Sequence, residues 1–408
     1  MQPHYTFAGF MGKRVHLGVT GSIAAYKVLD LVRSFQEADC MVSATLTESC
    51  TRFIQPLSFE ALGASPVYTR MFEDTPGSET AFDHLEPGQV ADVMVIAPAS
   101  ANTMVKLAFG MADDMLSCQA LAFPGPKLIA PAMNPRMWSA PATQRNWAML
   151  DELGYIRIQP ESGNVACGDT GTGRLAPVDE IFIATLKALS PQDLAGKKVL
   201  ITLGPTREPW DAVRFWSNPS SGTMGACMAM AAYLRGADVT VVTGPTALTF
   251  PAEISRVPVT TANQMFEACT DLWPGMDMGC LTAAVADYHP VPFGDEKFKK
   301  TTSAGSGITV EFETNQDILK TLGSTKKSTQ KLIGFAAETS NIRDEAVRKL
   351  ETKNLDLIAA NDISKSGSGF GVPTNQMFVL DAQGRKELWP QLPKTEVAWR
   401  LWDHLLLD

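Results

Sequence analysis

R-V-H-L-G-V-T-G-S-I-A-A-Y-K-V-L-D-L-V-R-S-F-Q, residues 14–36, changes its hydrophobic period at one turn. Residues 14–20 are a short β-rich run. After Thr20-Gly21-Ser22, Ile23, Tyr26, Val32 and Phe35 recur near every ~3.6 residues, which predicts a helix. A strand that feeds a helix through a tight turn is the repeating unit of an α/β fold. Backbone N–H groups at such a helix start seat an anion, and Ser22 adds a hydroxyl. A single phosphate suits this turn, and so does a plain helix cap. The G-x-G-x-x-G dinucleotide fingerprint does not occur there.

The pattern extends outward from this unit. M-V-S-A-T-L (41–46), V-M-V-I-A-P (93–98), K-L-I-A-P (127–131) and Y-I-R-I (155–158) predict four more strands, with helical patterns between them. Strands apolar throughout belong to a parallel sheet covered on both faces. That is a doubly wound α/β domain, which binds ligands beyond the carboxyl ends of its strands. Pro, Gly and polar residues in A-L-S-P-Q-D-L-A-G-K (188–197) mark a linker. The alternation restarts at K-V-L-I-T-L-G-P-T (198–206) and continues through strands near 238–244, 278–284, 331–339 and 356–362. G-I-T-V-E-F-E (307–313) alternates strictly, as a half-exposed antiparallel strand does. Two domains follow, residues 1–190 and 191–408, both Rossmann-like.

Composition narrows the function classes. The 408 residues are 45% hydrophobic and 19% charged, with net charge −9. Residues 1–190 carry 13 Lys and Arg against 19 Asp and Glu, the remainder 22 against 25. Neither part has the basic balance of a nucleic-acid binder. No apolar run approaches the ~18 residues of a membrane helix. The N-terminus lacks the pattern of a secretory signal and reads as a short loose arm, or as an arm whose two Phe and one Tyr dock on a neighbour. The seven cysteines, at 40, 50, 118, 167, 227, 269 and 280, show no C-x-x-C spacing, which suits a reducing cytoplasm.

Four segments carry polar residues suited to chemistry. A-P-A-S-A-N-T (97–103) offers Ser100, Asn102 and Thr103, and P-A-M-N-P-R-M-W (131–138) offers the Asn134 amide. F-D-H-L (82–85) sets His84 beside a short apolar turn. In V-A-C-G-D-T-G-T-G-R-L (165–175), Cys167 lies among glycines that let a backbone approach a ligand closely. A mobile flap with a reactive thiol and a surface loop with an incidental one both fit.

Together these four segments, in this order and spacing over residues 13–180, resemble the flavin-dependent phosphopantothenoylcysteine decarboxylases. The resemblance implies a flavodoxin-like homo-oligomeric fold with FMN at Gly21, Ser22, Thr47, Ser100, Asn102 and Thr103. It assigns catalysis to His84, Asn134 and Cys167. The chemistry is coherent: loss of CO₂ from a cysteine amide leaves an unstabilised carbanion unless the thiol is first oxidised to a thioaldehyde. The flavin takes and returns the hydride, while the protein positions groups and supplies protons. Asn134 would orient the carboxylate, His84 would act as base or electrostatic partner, and Cys167 would donate a proton.

The second half carries L-G-P-T-R-E-P-W-D-A-V-R (203–214), S-N-P-S-S-G-T-M-G (217–225), A-A-V-A-D-Y (283–288), E-K-F-K-K (296–300), N-Q-D-I (315–318) and K-L-E-T-K-N-L-D (349–356). Ser220, Ser221 and Gly222 suit an anion-binding helix start. Lys349 and Lys353 share one helix face, as solvated pairs also do. These segments resemble the phosphopantothenate–cysteine ligase domain, which has a mixed sheet and is fused to the decarboxylase in a bifunctional coenzyme A biosynthesis family. The resemblance implies that CTP activates 4′-phosphopantothenate as an acyl-cytidylate, which cysteine then attacks. Asn218 would hold the acyl-cytidylate and Lys297 would neutralise phosphate charge. Ala283, Asp287, Asn315, Gln316, Asp317, Ile318, Phe335, Lys349 and Lys353 match nucleotide-contact positions. Mg²⁺ is expected on the phosphates, with no protein ligands assigned.

Two positions depart from the pattern. Gln316 stands where proline is frequent, and Thr223 stands where S-S-G-K-M-G has lysine. The resemblance also implies trimeric contacts of the first domain and dimeric contacts of the second, which would combine into a dodecamer. His84, Asn134 and Cys167 standing together disfavour a regulatory flavoprotein that acts by association. The fused second domain disfavours a prenyltransferase acting on FMN.

Overall fold

β1 (Arg14–Val19) is the hub of the first sheet in the computed structural model, which describes residues 3–71, 82–166, 168–299, 308–365, 367, 369 and 371–407. Around it lie β2 (Met41–Leu46), β3 (Val67–Tyr68), β4 (Val93–Ala99), β5 (Lys127–Pro131) and β6 (Ile156–Arg157). The order is β3-β2-β1-β4-β5-β6, and every neighbouring pair is parallel. Chain direction across the sheet reverses between β1 and β4, the switch point where doubly wound sheets open a crevice. Leu17, Val19, Val95, Ile96 and Ile129 are fully buried, as strands covered on both faces require. The helix Val28–Glu37 buries Leu31, Val32 and Phe35, and the Phe35 ring meets Phe182 of the helix Val178–Leu189 at 5.3 Å. Burying each such side chain contributes about 1.5–3 kcal/mol. β7 (Glu161–Asn164) and β8 (Thr170–Arg174) form a separate antiparallel hairpin.

The second unit repeats the same winding. β9 (Lys198–Leu203) is its hub, followed in the chain by the ribbon β10 (Arg207–Pro209) and β11 (Phe215–Ser217). Then come β12 (Asp238–Thr243), β13 (Ser255–Pro258) and β14 (Met278–Leu281). A second ribbon pairs β15 (Tyr288–Pro290) with β16 (Phe312–Thr314). The last strands are β17 (Lys331–Glu338), β18 (Leu357–Asp362), β19 (Thr374–Asp381) and β20 (Lys386–Pro393). The eight-stranded order is β13-β12-β9-β14-β17-β18-β19-β20. Its first six strands are parallel, and β19 and β20 add an antiparallel edge. The mixed sheet thus arises from a hairpin appended to a doubly wound core, with its switch point between β9 and β14.

The helix Thr223–Leu234 is apolar on all sides, and every residue from Gly225 to Leu234 is buried. Such a helix must be covered on both faces. It lies on the sheet, and Trp402 of the last helix, Lys394–Leu405, donates its indole N–H to the Met228 carbonyl at 3.1 Å.

The chain divides into two compact units, Ala8–Ser190 and Pro191–Asp408, the latter joined by the N-terminal segment ending at Phe7. That segment is not the loose arm its composition suggests. Tyr5 and Phe7 are buried, and His4 Nε2 and Tyr5 OH meet the Thr249 carbonyl at 2.9 and 3.0 Å. The strand expected at 307–313 is shorter and later: β16 begins at Phe312, its side chains are exposed, and Gly307 lies outside the described residues.

Candidate active sites

The first site begins where β1 and β4 end. Thr20 donates its hydroxyl to the Pro98 carbonyl at 2.7 Å and accepts the Ser100 N–H at 2.8 Å. One buried side chain thereby joins the two turns at the switch point. Ser22 caps the following helical turn by accepting the Ala24 N–H at 3.4 Å. Ser100 caps the helix Ala101–Phe109 by accepting the Thr103 N–H at 3.3 Å, and its hydroxyl meets Thr103 Oγ1 at 3.1 Å. A Cβ on Gly21 would lie 2.5 Å from Ser49 Cβ, so only glycine lets the turn after β2 close on the turn after β1. Thr47 begins that second turn, donating its N–H to the Val19 carbonyl at 3.0 Å. Asn102 is exposed on the first turn of the Ser100-capped helix. Gly21, Ser22, Thr47, Ser100, Asn102 and Thr103 are thus all placed at carboxyl ends of β1, β2 and β4. None of the six is a carboxylate, and the set of hydroxyls and helix-start N–H groups fits a phosphate monoester.

The segment after β5 carries Asn134. It caps the short helix Pro135–Ser139, its Oδ1 accepting the Arg136 N–H at 2.8 Å. Its Nδ2 donates to Asp169 Oδ2 at 2.7 Å, and Arg136 Nη2 donates to Asp169 Oδ1 at 3.2 Å. Asp169 lies in the loop of the β7–β8 hairpin, two residues after Cys167. Cys167 itself lies outside the described residues.

The glycines of that hairpin have a packing purpose. A Cβ on Gly173 would lie 2.4 Å from the Met133 carbonyl oxygen, and one on Gly171 would lie 2.9 Å from Pro135 Cβ. Met133 donates its N–H to the Gly173 carbonyl at 2.8 Å. The hairpin is therefore docked against the Asn134 segment, and its missing side chains make the docking possible. At Gly171 and Gly173 the close approach is made to the Met133–Pro135 segment.

His84 is half-buried and meets the Phe82 ring edge-on at 6.2 Å. A buried polar chain reaches its neighbour. Gln119 Nε2 donates to the Asp83 carbonyl at 3.0 Å. A carbonyl only accepts, so the amide orientation is settled and Gln119 Oε1 faces Thr45 Oγ1 at 2.5 Å. Thr45 donates there and accepts from His16 Nε2 at 3.0 Å, which leaves His16 Nδ1 to accept from Ser43 Oγ at 2.8 Å. Burial pushes the His16 pKa down to about 3, against the opposing hydrogen bonding with Gln119, so the ring is neutral. Sequence reasoning passed over His16, Gln119 and Asp169. The available signal was a histidine in the middle of an apolar strand, which must find partners.

The second site repeats the first on β9 and β14. Ala284 donates to the Gly204 carbonyl at 2.9 Å, and Ala286 donates to Thr206 Oγ1 at 3.1 Å. Asn218 Nδ2 donates to the Val285 carbonyl at 3.1 Å, which brings Asn218 to the segment that contains Ala283 and Asp287. Asn315 joins them, Nδ2 donating to the Ala286 carbonyl at 2.8 Å and its N–H to the Asp287 carbonyl at 2.9 Å. Gln316 is exposed, and Asp317 caps the helix Ile318–Thr325 by accepting the Lys320 N–H at 2.9 Å. Ile318 is buried, and Phe335 is half-buried on β17.

The two lysines are already engaged. Lys353 Nζ lies 2.8 Å from Asp317 Oδ2, and Lys349 Nζ lies 2.6 Å from Glu338 Oε1. Burial acts to raise the Asp317 pKa, but Lys353 and the Lys320 N–H hold it below the usual carboxylate range. Lys297 is exposed and makes no hydrogen bond or ion pair among the described residues. Its neighbour Phe298 anchors the loop, packing on Trp210 at 5.2 Å and donating its N–H to Asp211 at 3.0 Å. The described contacts do not join Lys297 to Asn218. Among the described residues no three His, Cys, Asp or Glu side chains gather as a metal site. No described helix is long and apolar enough to cross a membrane.

Residues 10–190 match the family model described as Flavoprotein, and residues 194–407 match the DNA/pantothenate metabolism flavoprotein C-terminal domain. The chain is similar to the coenzyme A biosynthesis bifunctional protein CoaBC of Bacillus subtilis, 41% identical over 95% of each chain. It is 40% identical to the protein of the same description from Escherichia coli K12, over 95% of this chain and 97% of the other. A solved C-terminal domain of a CoaBC protein is 40% identical, covers 53% of this chain and 96% of its own, and superposes with a TM-score of 0.45.

Proposed function

The chain belongs to the family of coenzyme A biosynthesis bifunctional proteins, and from that premise we propose where its two reactions take place. It couples 4′-phosphopantothenate to cysteine in the second unit and decarboxylates the product to 4′-phosphopantetheine in the first. What carries the placement is the repeated switch point, with capped turns at the carboxyl ends of β1 and β4 and again of β9 and β14.

In the first unit FMN would be held at Gly21, Ser22, Thr47, Ser100, Asn102 and Thr103, where hydroxyls and helix-start N–H groups suit its phosphate. When bound, it supplies the hydride acceptor and donor that the chain lacks. The chain's own residues orient and protonate. Asn134 holds the substrate carboxylate, exchanging Asp169 for it. His84 serves the thiol oxidation as base or electrostatic partner, and Cys167 delivers the proton to carbon.

In the second unit the 4′-phosphopantothenate carboxylate attacks the α-phosphorus of CTP and pyrophosphate leaves. The cysteine amine then attacks the acyl carbon and CMP leaves. Asn218 and Asn315 hold the strand-end segment 283–287, against which the nucleotide rests with Gln316, Asp317, Ile318 and Phe335. Lys349 and Lys353 turn from their carboxylate partners to the triphosphate. Lys297 approaches the reacting phosphate from its exposed loop. Mg²⁺, when bound, would neutralise phosphate charge, with no protein ligand assigned to it. Assembly into a dodecamer through trimeric and dimeric contacts, in the cytoplasm, belongs to the same proposal.

One reaction mixture tests it. Phosphopantothenate, cysteine, CTP and Mg²⁺ are supplied, and products are followed by mass. Cys167→Ser should make the ligase product and stall before phosphopantetheine, and Asn218→Asp should make little of either. Normal turnover by Cys167→Ser removes its proton-donor role.

A further inference from the structure

The segment ending at Phe7 belongs to the second unit, although the chain runs from it into the first. It is bound there at two points. At one, Phe7 is buried and meets the Trp399 ring of the helix Lys394–Leu405 edge-on at 5.7 Å. Trp399 also carries the Arg235 guanidinium at 5.3 Å, which Asp193 and Asp403 hold at 2.5 and 2.6 Å. At the other, His4 Nε2 and Tyr5 OH reach one acceptor, the Thr249 carbonyl, at 2.9 and 3.0 Å. A carbonyl only accepts, so both groups donate and its two lone pairs are filled.

His4 makes this contact more than packing. The ring is fully buried, and since Nε2 carries the proton, Nδ1 is an acceptor that finds no partner among the described residues. Burial pulls its pKa below the ordinary value of 6.5 against the bond to Thr249, so the ring is neutral at pH 7. A phenylalanine would fill the same space without an unpaired nitrogen. What the imidazole adds is its bond to Thr249.

Thr249 lies in the irregular stretch 244–250 that leaves the carboxyl end of β12. The near end of that stretch is packed on the second switch point. Gly244 donates its N–H to the Leu203 carbonyl at 2.9 Å, and a Cβ on Gly244 would lie 1.9 Å from the Pro205 carbonyl oxygen. Pro205 stands between Gly204 and Thr206, which hold Ala284 and Ala286. Thr246 donates its hydroxyl to the Ser221 carbonyl at 3.1 Å, three residues after Asn218. The far end is exposed at Thr249, and there the Phe250 ring also packs on His4 at 5.4 Å. An irregular stretch with an exposed tip opens easily unless the tip is tied.

We propose that His4 and Tyr5 are positioning residues of the ligase reaction, a strap fixed at Trp399 that ties the stretch 244–250 and through it the turn 204–206 and the nucleotide segment 283–287. The proposal rests on the ligase reading above. Neither residue touches a reacting atom. The strap removes motion from the wall on which CTP is placed, so that binding does not have to order it.

Steady-state kinetics of the FMN-loaded full chain test it, with His4→Gln, Tyr5→Phe and the double variant His4→Phe/Tyr5→Phe. The double variant keeps both rings and loses both donors. Its CTP KM is expected to rise about tenfold, the worth of two ordinary hydrogen bonds, and that of Tyr5→Phe about threefold. His4→Gln keeps an N–H for the same carbonyl and should stay near wild type. A partly unfolded population lowers the rate and leaves KM unchanged, so a raised CTP KM separates positioning from loss of fold. The cysteine KM and decarboxylation by the same chain should not change. Hydrogen exchange without nucleotide reads the strap directly: amides in 248–250 should exchange faster in the double variant than in wild type. A wild-type CTP KM in the double variant, unaltered exchange at 248–250, or a His4→Gln as impaired as the double variant each overturns the proposal. Absence of CTP-dependent pyrophosphate release in wild type, with the exchange difference intact, would instead sink the ligase reading.

Discussion

Gln119 donates from Nε2 to the backbone carbonyl of Asp83 at 3.0 Å, so the helix Met115–Ala122 holds the residue directly before His84. Gln119 is fully buried, and its other end is fixed by Thr45. Gln119→Met should therefore act through His84. The kcat of decarboxylation is expected to fall about tenfold, from the loss of one buried hydrogen bond with its acceptor left unpaired. FMN binding and ligase turnover should not change. In a His84→Asn background the same substitution should cost almost nothing further, the non-additivity of residues that act as a unit. Independent, multiplying losses would show that Gln119 only supports the fold.

His16 makes the first unit acid-sensitive. Its pKa is about 3 in the folded chain, against the ordinary value of 6.5. Above pH 6.5 both states are neutral and the residue contributes no pH dependence. Below it, the unfolded chain takes up a proton that the folded chain refuses, so stability falls until the pH reaches the native value. Two pH units of such refusal amount to about 2.7 kcal/mol. His16→Gln retains an N–H for Thr45 and cannot titrate. Melting of the two proteins between pH 7 and 4.5 should diverge steadily, with the variant the flatter. Parallel curves would mean that His16 is protonated in the fold.

The α/β winding was legible because a change of period is a local property. Residues 14–36 show it within one strand and one helix, and β1, β2, β4 and β5 follow the same apolar runs. β6 lies inside the Y-I-R-I run, whereas β3, with two residues, is too short to carry a period. The β7–β8 hairpin is polar and glycine-rich, without alternation, and its partners Met133 and Pro135 are remote in sequence. The chain from Ser43 to Asp83 depends on the lateral register that sets His16 beside Ser43. Register is a relation between strands, and neither strand states it alone. Candidate residues on strand-end turns could be found because switch points expose such turns. Asp169 could not, since it matters through its contacts with the distant Asn134 and Arg136.

Gly173 tests the docking of that hairpin. Alanine there would put Cβ 2.4 Å from the Met133 carbonyl, a backbone atom that cannot rotate away. The Gly173 φ of 155° adds strain for a side chain. Gly173→Ala should separate β8 from the Asn134 segment and loosen the contact of Asp169 with Asn134. Decarboxylation should fall by at least about tenfold, the cost of misplacing a positioned group. Gly168→Ala serves as the comparison, because a Cβ there meets nothing within 4 Å although its φ is 87°. A smaller loss is expected at Gly168 than at Gly173, with ligase turnover unchanged in both. Equal losses would attribute the effect to backbone strain rather than to docking.

Lys353 and Asp317 form a pair that CTP would rearrange in the proposed placement. The ammonium lies 2.8 Å from a carboxylate that also caps the helix Ile318–Thr325. Lys353→Met removes an attraction for the triphosphate and leaves Asp317 facing it unpaired. Both changes raise the CTP KM, together by about tenfold for a partly exposed pair. Adding Asp317→Asn removes the repulsion but keeps an oxygen for the Lys320 N–H, so the cap survives. The KM of the double variant should therefore fall between wild type and the single variant. The phosphopantothenate KM should stay constant throughout, and raised salt should narrow the differences. A double variant weaker than Lys353→Met would show that Asp317 itself contacts the nucleotide, as a hydrogen-bond acceptor rather than as the counter-charge of Lys353.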